Sequence, residues 1–202
     1  MVPDGGMKLL GTTTSPYTRK IRVLLDALGG RYAFLDTRST EGAALLAEVA
    51  PLGKIPVLVS GVGRPTLADS SLISQWLWST EEGRLRAAGW NFDPTYWEDR
   101  ALQVVVEGCL DAAINHRYLR LDGFADAGYI SKQRLRVERT LSWLDTRLVF
   151  QGPVTAAQLS LGCALDWMAF RNVVELARWP GLTAFREAWT ASGLGAGSEP
   201  VE

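Results

Sequence analysis

The hydrophobic pattern of the chain changes near residues 81–83, and this change constrains the fold more than any other feature. Before it, short strand-like runs alternate with segments whose apolar residues repeat at helical spacing, in the order βαβαββα. After it, every periodic segment has helical spacing. We therefore predict an α/β domain at 7–82, a linker near 80–90 and an all-helical domain at 90–195. The first domain is predicted to have strands at 8–12, 32–36, 56–59 and 65–67 and helices at 16–28, 40–49 and 70–79.

Cap residues and prolines predict where the later helices begin. Asp93 followed by Pro94 is typical of an N-cap and the first helical position. Thr155 and Gln158 have the spacing of a capping box, so another helix is predicted to begin there. Pro180 is placed to begin the last helix.

Size and charge exclude several classes of protein. The 202 residues carry a net charge of −1, which gives no overall field that would draw the chain to nucleic acid or an anionic membrane surface. No apolar run approaches the roughly 20 residues that span a bilayer. Residues 1–6 lack a basic and then apolar signal pattern, and the glycine- and serine-rich tail at 193–202 is expected to be mobile. We expect a cytoplasmic protein with no nucleic-acid or membrane partner.

The two cysteines and the single histidine do not suggest a metal or redox centre. Cys109 and Cys163 both lie in apolar helical patterns, and we expect them to be buried hydrophobic side chains rather than a disulfide or redox pair. His116 has no Cys, His or carboxylate cluster around it at metal-ligand spacing. The sequence therefore predicts no metal site.

Ser15 and Pro16 form the first candidate site, between a predicted strand and a predicted helix. Serine is a preferred N-cap residue, and a cap lies at the positive end of the helix dipole, so capping alone is the structural alternative. A thiolate held there would gain amide donors and a hydrogen bond from the hydroxyl. The loop contains no cysteine, so it can stabilise a ligand's sulfur but cannot supply one. Thr13 and Thr14 are close enough in sequence to share the role.

The second candidate site lies around Ile55 and Pro56. Pro56 starts an apparently buried strand, a position that proline tolerates because it has no ladder donor. A cis bond before Pro56 would free the backbone of Ile55 to pair with an extended peptide. Since only about 5–6% of such bonds are cis, the sequence alone makes trans the default. On composition alone, we expect Lys54 to be a solvated surface lysine.

Asp69 and Ser70 form the third candidate site, directly before a predicted helix. An N-cap is again the structural alternative. In the functional interpretation, the helix amides and the hydroxyl of Ser70 hold a carboxylate, while Asp69 accepts from an ammonium group. These groups together suit the α-amino acid end of a ligand.

The ordered set of sites resembles the glutathione S-transferase family. It begins with the hydroxyl-Pro-aromatic loop at 15–17 and ends with Asp-Ser at 69–70. Between them, residues 50–58 read Ala-Pro-Leu-Gly-Lys-Ile-Pro-Val-Leu. The resemblance covers nearly the whole chain and implies a thioredoxin-like N-terminal domain followed by the all-helical domain.

The resemblance also implies roles for the candidate residues. The Ser-Pro-aromatic form is similar to serine-type transferases, in which the serine hydrogen-bonds the sulfur of glutathione, and this role falls on Ser15. The family carries a cis-proline at the position of Pro56, against the trans default. Ile55 would pair with the cysteinyl part of glutathione, and Lys54 would approach its glycyl carboxylate. The γ-glutamyl end would be held by Asp69 and Ser70.

The resemblance implies a homodimeric enzyme that uses glutathione as co-substrate and adds it to a small, apolar electrophile. A glutathione-dependent disulfide or peroxide reductase and a non-enzymatic adaptor of the kind bound to RNA polymerase remain alternatives. The chain departs from the family pattern at Gln158, where the family often has an acid, and at Asp69, where glutamate is frequent. Neither departure is expected to impair folding.

Overall fold

The computed structural model describes residues 6–30, 32–61, 65–93, 96–124 and 128–202. The chain divides into two compact units. The N-terminal unit comprises Met1–Asp93 together with Leu194–Glu202, and the helical unit comprises Pro94–Gly193. The predicted combination of an α/β part and an all-helical part is confirmed. None of the helices within the described residues is long and apolar enough to cross a membrane.

A four-stranded mixed sheet forms the centre of the N-terminal unit, and its strands lie in the order β2 (Ala33–Asp36), β1 (Lys8–Gly11), β3 (Val57–Val59) and β4 (Thr66–Leu67). The central strand β1 runs parallel to β2 and antiparallel to β3, and β4 runs antiparallel to β3. Leu9 and Leu10 of the central strand are fully buried. The strands are β1 (Lys8–Gly11), β2 (Ala33–Asp36), β3 (Val57–Val59) and β4 (Thr66–Leu67), and the short strand β5 (Trp90–Asn91) follows later in the chain.

The helices of the N-terminal unit are α1 (Pro16–Ala27), α2 (Thr40–Val49) and α3 (Ser70–Ala87). The helix predicted at 70–79 is therefore too short, and most of the predicted linker is helical. The backbone departs from helical geometry at Glu81, with a φ of −131°, and the helix then continues. It continues because Leu85 is fully buried and because the side chain of Arg84 contacts both Glu81 and the carbonyl oxygen of Leu28.

In the helical unit, α4 (Trp97–Leu121) packs against both α5 (Gly128–Leu144) and α6 (Ala156–Phe170). The predicted start of the first of these helices is wrong, because it begins at Trp97 after the N-cap Tyr96, whose side chain makes no capping bond. Glu98 and Asp99 in the first turn of this helix supply the negative charge near its N-terminus that an Asp93 cap would have given. Pro94, the predicted first helical residue, lies outside the described residues. The elements are α4 (Trp97–Leu121), α5 (Gly128–Leu144), β6 (Val154–Thr155), α6 (Ala156–Phe170), a 3-10 helix (Leu176–Arg178) and α7 (Pro180–Ala191).

The capping box at the start of α6 is confirmed. The hydroxyl of Thr155 accepts from the backbone N–H of Gln158 at 3.3 Å, and the side-chain oxygen of Gln158 accepts from the backbone of Thr155 at 3.0 Å. An acid is nevertheless present at this helix end, because the carboxylate of Asp99 in α4 accepts from the N–H of Ala157 at 3.3 and 3.4 Å. The acid that the family often has within the box is thus supplied by a neighbouring helix.

The C-terminal tail was predicted to be mobile, but it is hydrogen-bonded along the N-terminal unit. The buried side chain of Arg19 donates to Ser198 Oγ at 3.3 Å and to the carbonyl oxygen of Gly195 at 3.5 Å. Arg22 donates to the carbonyl oxygen of Gly197 at 3.0 Å. Because glycine has no side chain, its carbonyl groups can approach the arginines of α1 closely.

Candidate functional site

The register of the sheet brings the three candidate loops to one edge. Leu10 near the end of β1 pairs with Val57 at the start of β3, and Leu58 pairs with Leu67 at the end of β4. The loop after β1, the loop before β3 and the loop after β4 therefore leave the sheet on the same side. β2 is parallel to β1, so the residues that follow Asp36 lie at this edge as well.

Ser15 lies in the first of these loops as the N-cap of α1. Its Oγ accepts from the backbone N–H of Thr18 at 3.2 Å, so the structural role of the residue is present. A hydroxyl group has one proton and two acceptor lone pairs. Because the cap uses only a lone pair, the proton of Ser15 is free of partners among the described residues and can be donated to an anion.

Thr13 differs from Ser15 because its hydroxyl proton is already donated within the chain. Its Oγ1 donates to the backbone carbonyl oxygen of Val201 in the tail at 2.8 Å and accepts from the guanidinium of Arg38 at 3.0 Å. The hydroxyl of Thr14 lies 3.4 Å from that of Thr12. The proton of Thr13 is therefore committed within the chain, whereas those of Ser15 and Thr14 can be donated to a ligand.

The bond between Ile55 and Pro56 is cis, as the resemblance implies and against the default of the sequence alone. Pro56 is buried directly before β3, while Ile55 is half-buried. Within the described part of the chain, neither backbone group of Ile55 makes a backbone hydrogen bond. An extended ligand could therefore pair with both groups. Lys54 is exposed next to this position, so its ammonium group lies in solvent beside the strand's start.

Asp69 is the N-cap of α3, and the peptide bond that precedes it, from Ala68, is cis. Its Oδ1 accepts from the backbone N–H of Ser71 at 2.8 Å and of Leu72 at 3.3 Å. Both of these bonds use the same oxygen, so Oδ2 of the exposed carboxylate remains available to a cation. The side chain of Ser70 is 3% exposed at the first position of the helix.

Charge at this edge of the sheet favours an extended ligand with anionic groups. The helices α1, α2 and α3 all begin on this side, so the positive ends of their dipoles lie there. Arg38 binds the carboxylate of Asp36 through two nitrogens at 3.0 and 2.5 Å. This side-chain hydrogen bonding lowers the pKa of Asp36, so the pair stays ionised at neutral pH.

The protein's own thiols are not available for chemistry at this site. Both cysteines are buried and outside any disulfide, Cys109 with 3% and Cys163 with 1% of its surface exposed, as the sequence predicted. Burial raises the pKa of Cys109 to about 12, so it stays protonated at neutral pH. A reactive sulfur at the sheet edge would have to come from a ligand. Within the described ranges, no three potential metal ligands are grouped together.

Sequence reasoning missed two contributors to this edge. Arg38 could have been found, because it follows β2. Since β2 is parallel to β1, both strands end at the same edge of the sheet. Val201 could not, because nothing in the local pattern indicates that the tail reaches a threonine 188 positions earlier in the chain.

Comparisons with known proteins find a similar family, a similar bacterial protein and similar solved structures. Residues 9–85 match the family described as "Glutathione S-transferase, N-terminal domain". The chain is also 28% identical over 174 residues to a protein of Escherichia coli (strain K12) described as "Uncharacterized GST-like protein YibF". That match covers 83% of this chain and 84% of the relative.

Solved structures of similar fold cover nearly the whole chain. A glutathione S-transferase from Methylobacillus flagellatus, crystallised with GSH bound, has a TM-score of 0.81 and 27% identity over 96% of this chain and 100% of that one. A glutathione transferase family member from Pseudomonas fluorescens, with bound glutathione, has a TM-score of 0.80 and 26% identity over 97% and 100% of the two chains.

These matches confirm the fold class, a thioredoxin-like N-terminal part followed by an all-helical part. Within the N-terminal unit, residues 9–85 are similar to the glutathione S-transferase N-terminal domain. The similarity to glutathione S-transferases thus extends from this N-terminal match to the fold of nearly the whole chain.

Proposed function

We propose that the protein is a serine-type glutathione transferase, which binds glutathione at the sheet edge and adds its sulfur to a small, apolar electrophile. The observation that carries the proposal is the uncommitted proton of Ser15 at the N-terminus of α1, on the same edge as the cis-proline loop and the cap of α3. The glutathione-bound relatives of the same fold support this choice of ligand.

The proposed binding mode assigns each part of the tripeptide to a loop. The backbone N–H and C=O of Ile55 pair with the cysteinyl residue, as an added strand would. The ammonium group of Lys54 approaches the glycyl carboxylate. At the other end, Oδ2 of Asp69 accepts from the γ-glutamyl ammonium, and the amides of α3 with the hydroxyl of Ser70 hold the carboxylate.

In the proposed mechanism, Ser15 and the helix dipole stabilise the thiolate of glutathione. A free thiol has a pKa near 8.5 and is only a few per cent ionised at neutral pH. A charge-assisted hydrogen bond of about 1.5–3 kcal/mol lowers this pKa by about one to two units. The thiolate then attacks the electrophile, so catalysis consists of orientation and electrostatic stabilisation without a covalent enzyme intermediate.

The experiment compares Ser15→Ala with Ser39→Ala. Ser39 is the control, since it caps α2 by accepting from the N–H of Gly42 at 3.0 Å while its own proton is donated to the carbonyl oxygen of Asp36 at 2.7 Å, and no role at sulfur is assigned to it. Both variants should lose about 1 kcal/mol of stability from the missing cap. Only Ser15→Ala should raise the pKa of bound glutathione, measured by ultraviolet difference absorbance of the thiolate, and slow conjugation.

Equal thiol pKa values in wild type and Ser15→Ala would show that Ser15 is only a cap. Thr13 and Thr14 would then be the candidates for the sulfur contact. Conjugation assays run beside assays with mixed disulfides and hydroperoxides would separate the proposed transferase from a glutathione-dependent reductase. A chain that fails to retain glutathione would favour the adaptor alternative. A homodimer remains a prediction that rests on the resemblance, and a cytoplasmic location remains one that rests on the sequence features alone.

A further inference from the structure

A cavity of about 220 Å³ lies within the helical unit, apart from every residue assigned above. It lies between the C-terminal part of α4, the middle of α5 and the segment that leads from α6 into α7, and it is partly open to solvent, so that the side chains of Arg134 and Arg178 are 64% and 59% exposed. Its lining is unusually rich in ionisable side chains. These are Arg120, Arg134, Arg178, His116, Glu138 and Glu175.

The charges around the cavity do not balance. Three arginines face two glutamates, so the lining carries one excess positive charge when the histidine is neutral. Burial, together with the nearby Arg120 and Arg134, lowers the pKa of His116, while Glu138 acts in the opposite direction. The histidine is therefore neutral at pH 7. A ligand with a single negative charge would complete the balance.

The arginines also retain unused donors. The carboxylate of Glu138 lies 3.5 Å from Arg134 and 4.0 Å from Arg178, both longer than a good hydrogen bond. Arg120 makes no ion pair or side-chain hydrogen bond within the part of the chain that the structure describes. Each guanidinium group has five N–H donors, and a carboxylate can accept two of them in parallel.

The remaining wall of the cavity is apolar. It includes the buried Val137, the half-buried Val174 and the ring of Trp179, which is 5% exposed. The indole is held in place because its N–H donates to Ser142 Oγ at 3.0 Å. A fixed aromatic wall beside excess positive charge suits a ligand that has an apolar body and one anionic end.

We propose that this cavity is a binding site for small aromatic monocarboxylates, with the carboxylate held by Arg120 and Arg134 and the ring packed against Val174 and Trp179. The site uses residues of the helical unit alone, and it does not depend on the proposed reaction of glutathione.

Titration of the full-length protein with benzoate tests the proposal, with the neutral benzamide as the matched ligand. Binding is followed by calorimetry and by the NMR signal of the indole N–H of Trp179, assigned with Trp179→Phe. We expect saturable binding of benzoate that shifts this signal, and at least about fivefold weaker binding of benzamide, as expected for the loss of an ion pair.

Three variants locate the site. Arg120→Gln and Arg134→Gln should each weaken benzoate binding about fivefold. Arg139→Gln is the matched control, because Arg139 is an exposed residue of α5 that does not line the cavity, and it should leave binding unchanged. Val174→Phe should weaken binding by filling the cavity while all three arginines remain.

Several results would overturn the proposal. The absence of saturable benzoate binding would do so, as would equal effects of Arg134→Gln and Arg139→Gln. An affinity for inorganic phosphate equal to that for benzoate would refute the assigned ligand class. It would show that the apolar wall contributes nothing to binding.

Discussion

At the scale of single residues, Asp69 combines two roles that can be separated by substitution. Its Oδ1 caps α3, and its Oδ2 is proposed to bind the ammonium of glutathione. Asparagine is as good an N-cap as aspartate but has no charge. We expect Asp69→Asn to keep the stability of the protein while weakening glutathione binding about tenfold, the value of a charge-assisted hydrogen bond. Calorimetric titration and urea unfolding measure the two effects.

Asp69→Ala provides the comparison, because it removes both the cap and the charge. This variant should bind glutathione as weakly as Asp69→Asn and should in addition lose about 1 kcal/mol of stability. If Asp69→Asn bound glutathione as well as the wild type does, the assignment of the γ-glutamyl end to this residue would be wrong.

Asp99 gives the stability of the helical unit a dependence on pH. Burial raises the pKa of this carboxyl, and the hydrogen bonds from Thr155 and the start of α6 only partly offset the effect. The folded state therefore holds this proton to higher pH than the unfolded state. Stability falls as the pH rises through the interval between the pKa of Asp99 in the unfolded state and its higher pKa in the folded state.

Asp99→Asn removes this titration and retains an oxygen that can accept from the N–H of Ala157. We expect the variant to be more stable than the wild type at pH 7, and this advantage to vanish below the ordinary aspartate pKa of about 3.9. Urea unfolding at pH 7 and at a pH below about 3.9 measures the difference in stability between the variant and the wild type. Glu98→Gln is the control, because Glu98 is an exposed neighbour on the same helix and should give no such gain. An advantage that persists at low pH would show that burial of the charge is not the cause.

At the scale of helices, the packing of α6 on α7 depends on the absence of a side chain at Gly162. A Cβ atom there would lie 2.5 Å from the ring of Trp189, which is 1% exposed. The ring cannot move aside easily, because its N–H donates to Asp166 at 3.1 Å and Phe150 packs against it. We expect Gly162→Ala to destabilise the protein by about 1–3 kcal/mol, as overpacking does, in urea unfolding.

Gly108→Ala is the matched control, and we expect it to stabilise the protein where Gly162→Ala destabilises it. Gly108 lies inside α4 on an exposed face, and a Cβ there would meet nothing within 4 Å. The substitution should therefore stabilise the helix by about 0.5–1 kcal/mol, since alanine loses less backbone entropy. Destabilisation of similar size at both positions would argue against a packing explanation.

The helices that the sequence predicted best are those whose ends are determined by local chemistry. Pro16, Pro180 and the box of Thr155 and Gln158 all begin helices as predicted, because a cap or a fixed φ acts within one turn. The continuation of α3 beyond residue 79 was missed, because it depends on burial of Leu85, a tertiary effect.

The candidate site could be predicted in part for the same reason. Each of its loops carries a local signal, a Ser-Pro, an Ile-Pro or an Asp-Ser pair. Their meeting at one edge depends on the strand register, which the family resemblance implied and the spacing alone did not. The hydrogen bond that Thr13 donates to the carbonyl oxygen of Val201 could not be predicted, because it depends on contact between residues 188 positions apart in the chain.

At the scale of the whole molecule, the chain returns to its first unit after completing the second. The tail supplies acceptors for Arg19, which is 4% exposed, and a buried cation that loses its acceptors is costly. The hydroxyl of Ser198 is central to this contact, since it accepts from Arg19 and donates to the carbonyl oxygen of Gly195 at 2.8 Å. The last nine residues, Leu194–Glu202, therefore contribute to the stability of a unit that begins at the opposite end of the chain.

Ser198→Ala tests this contribution. We expect a loss of about 1–3 kcal/mol, because the guanidinium of Arg19 keeps its burial but loses a hydrogen-bond acceptor. Ser79→Ala is the control: Ser79 is exposed on α3, where its hydroxyl donates to the carbonyl oxygen of Trp76, and its removal should change stability by no more than about 0.5 kcal/mol. Urea unfolding of both variants measures the difference. Equal stabilities would mean that the tail rests on the N-terminal unit without stabilising it, and that the burial of Arg19 is compensated by its other contacts.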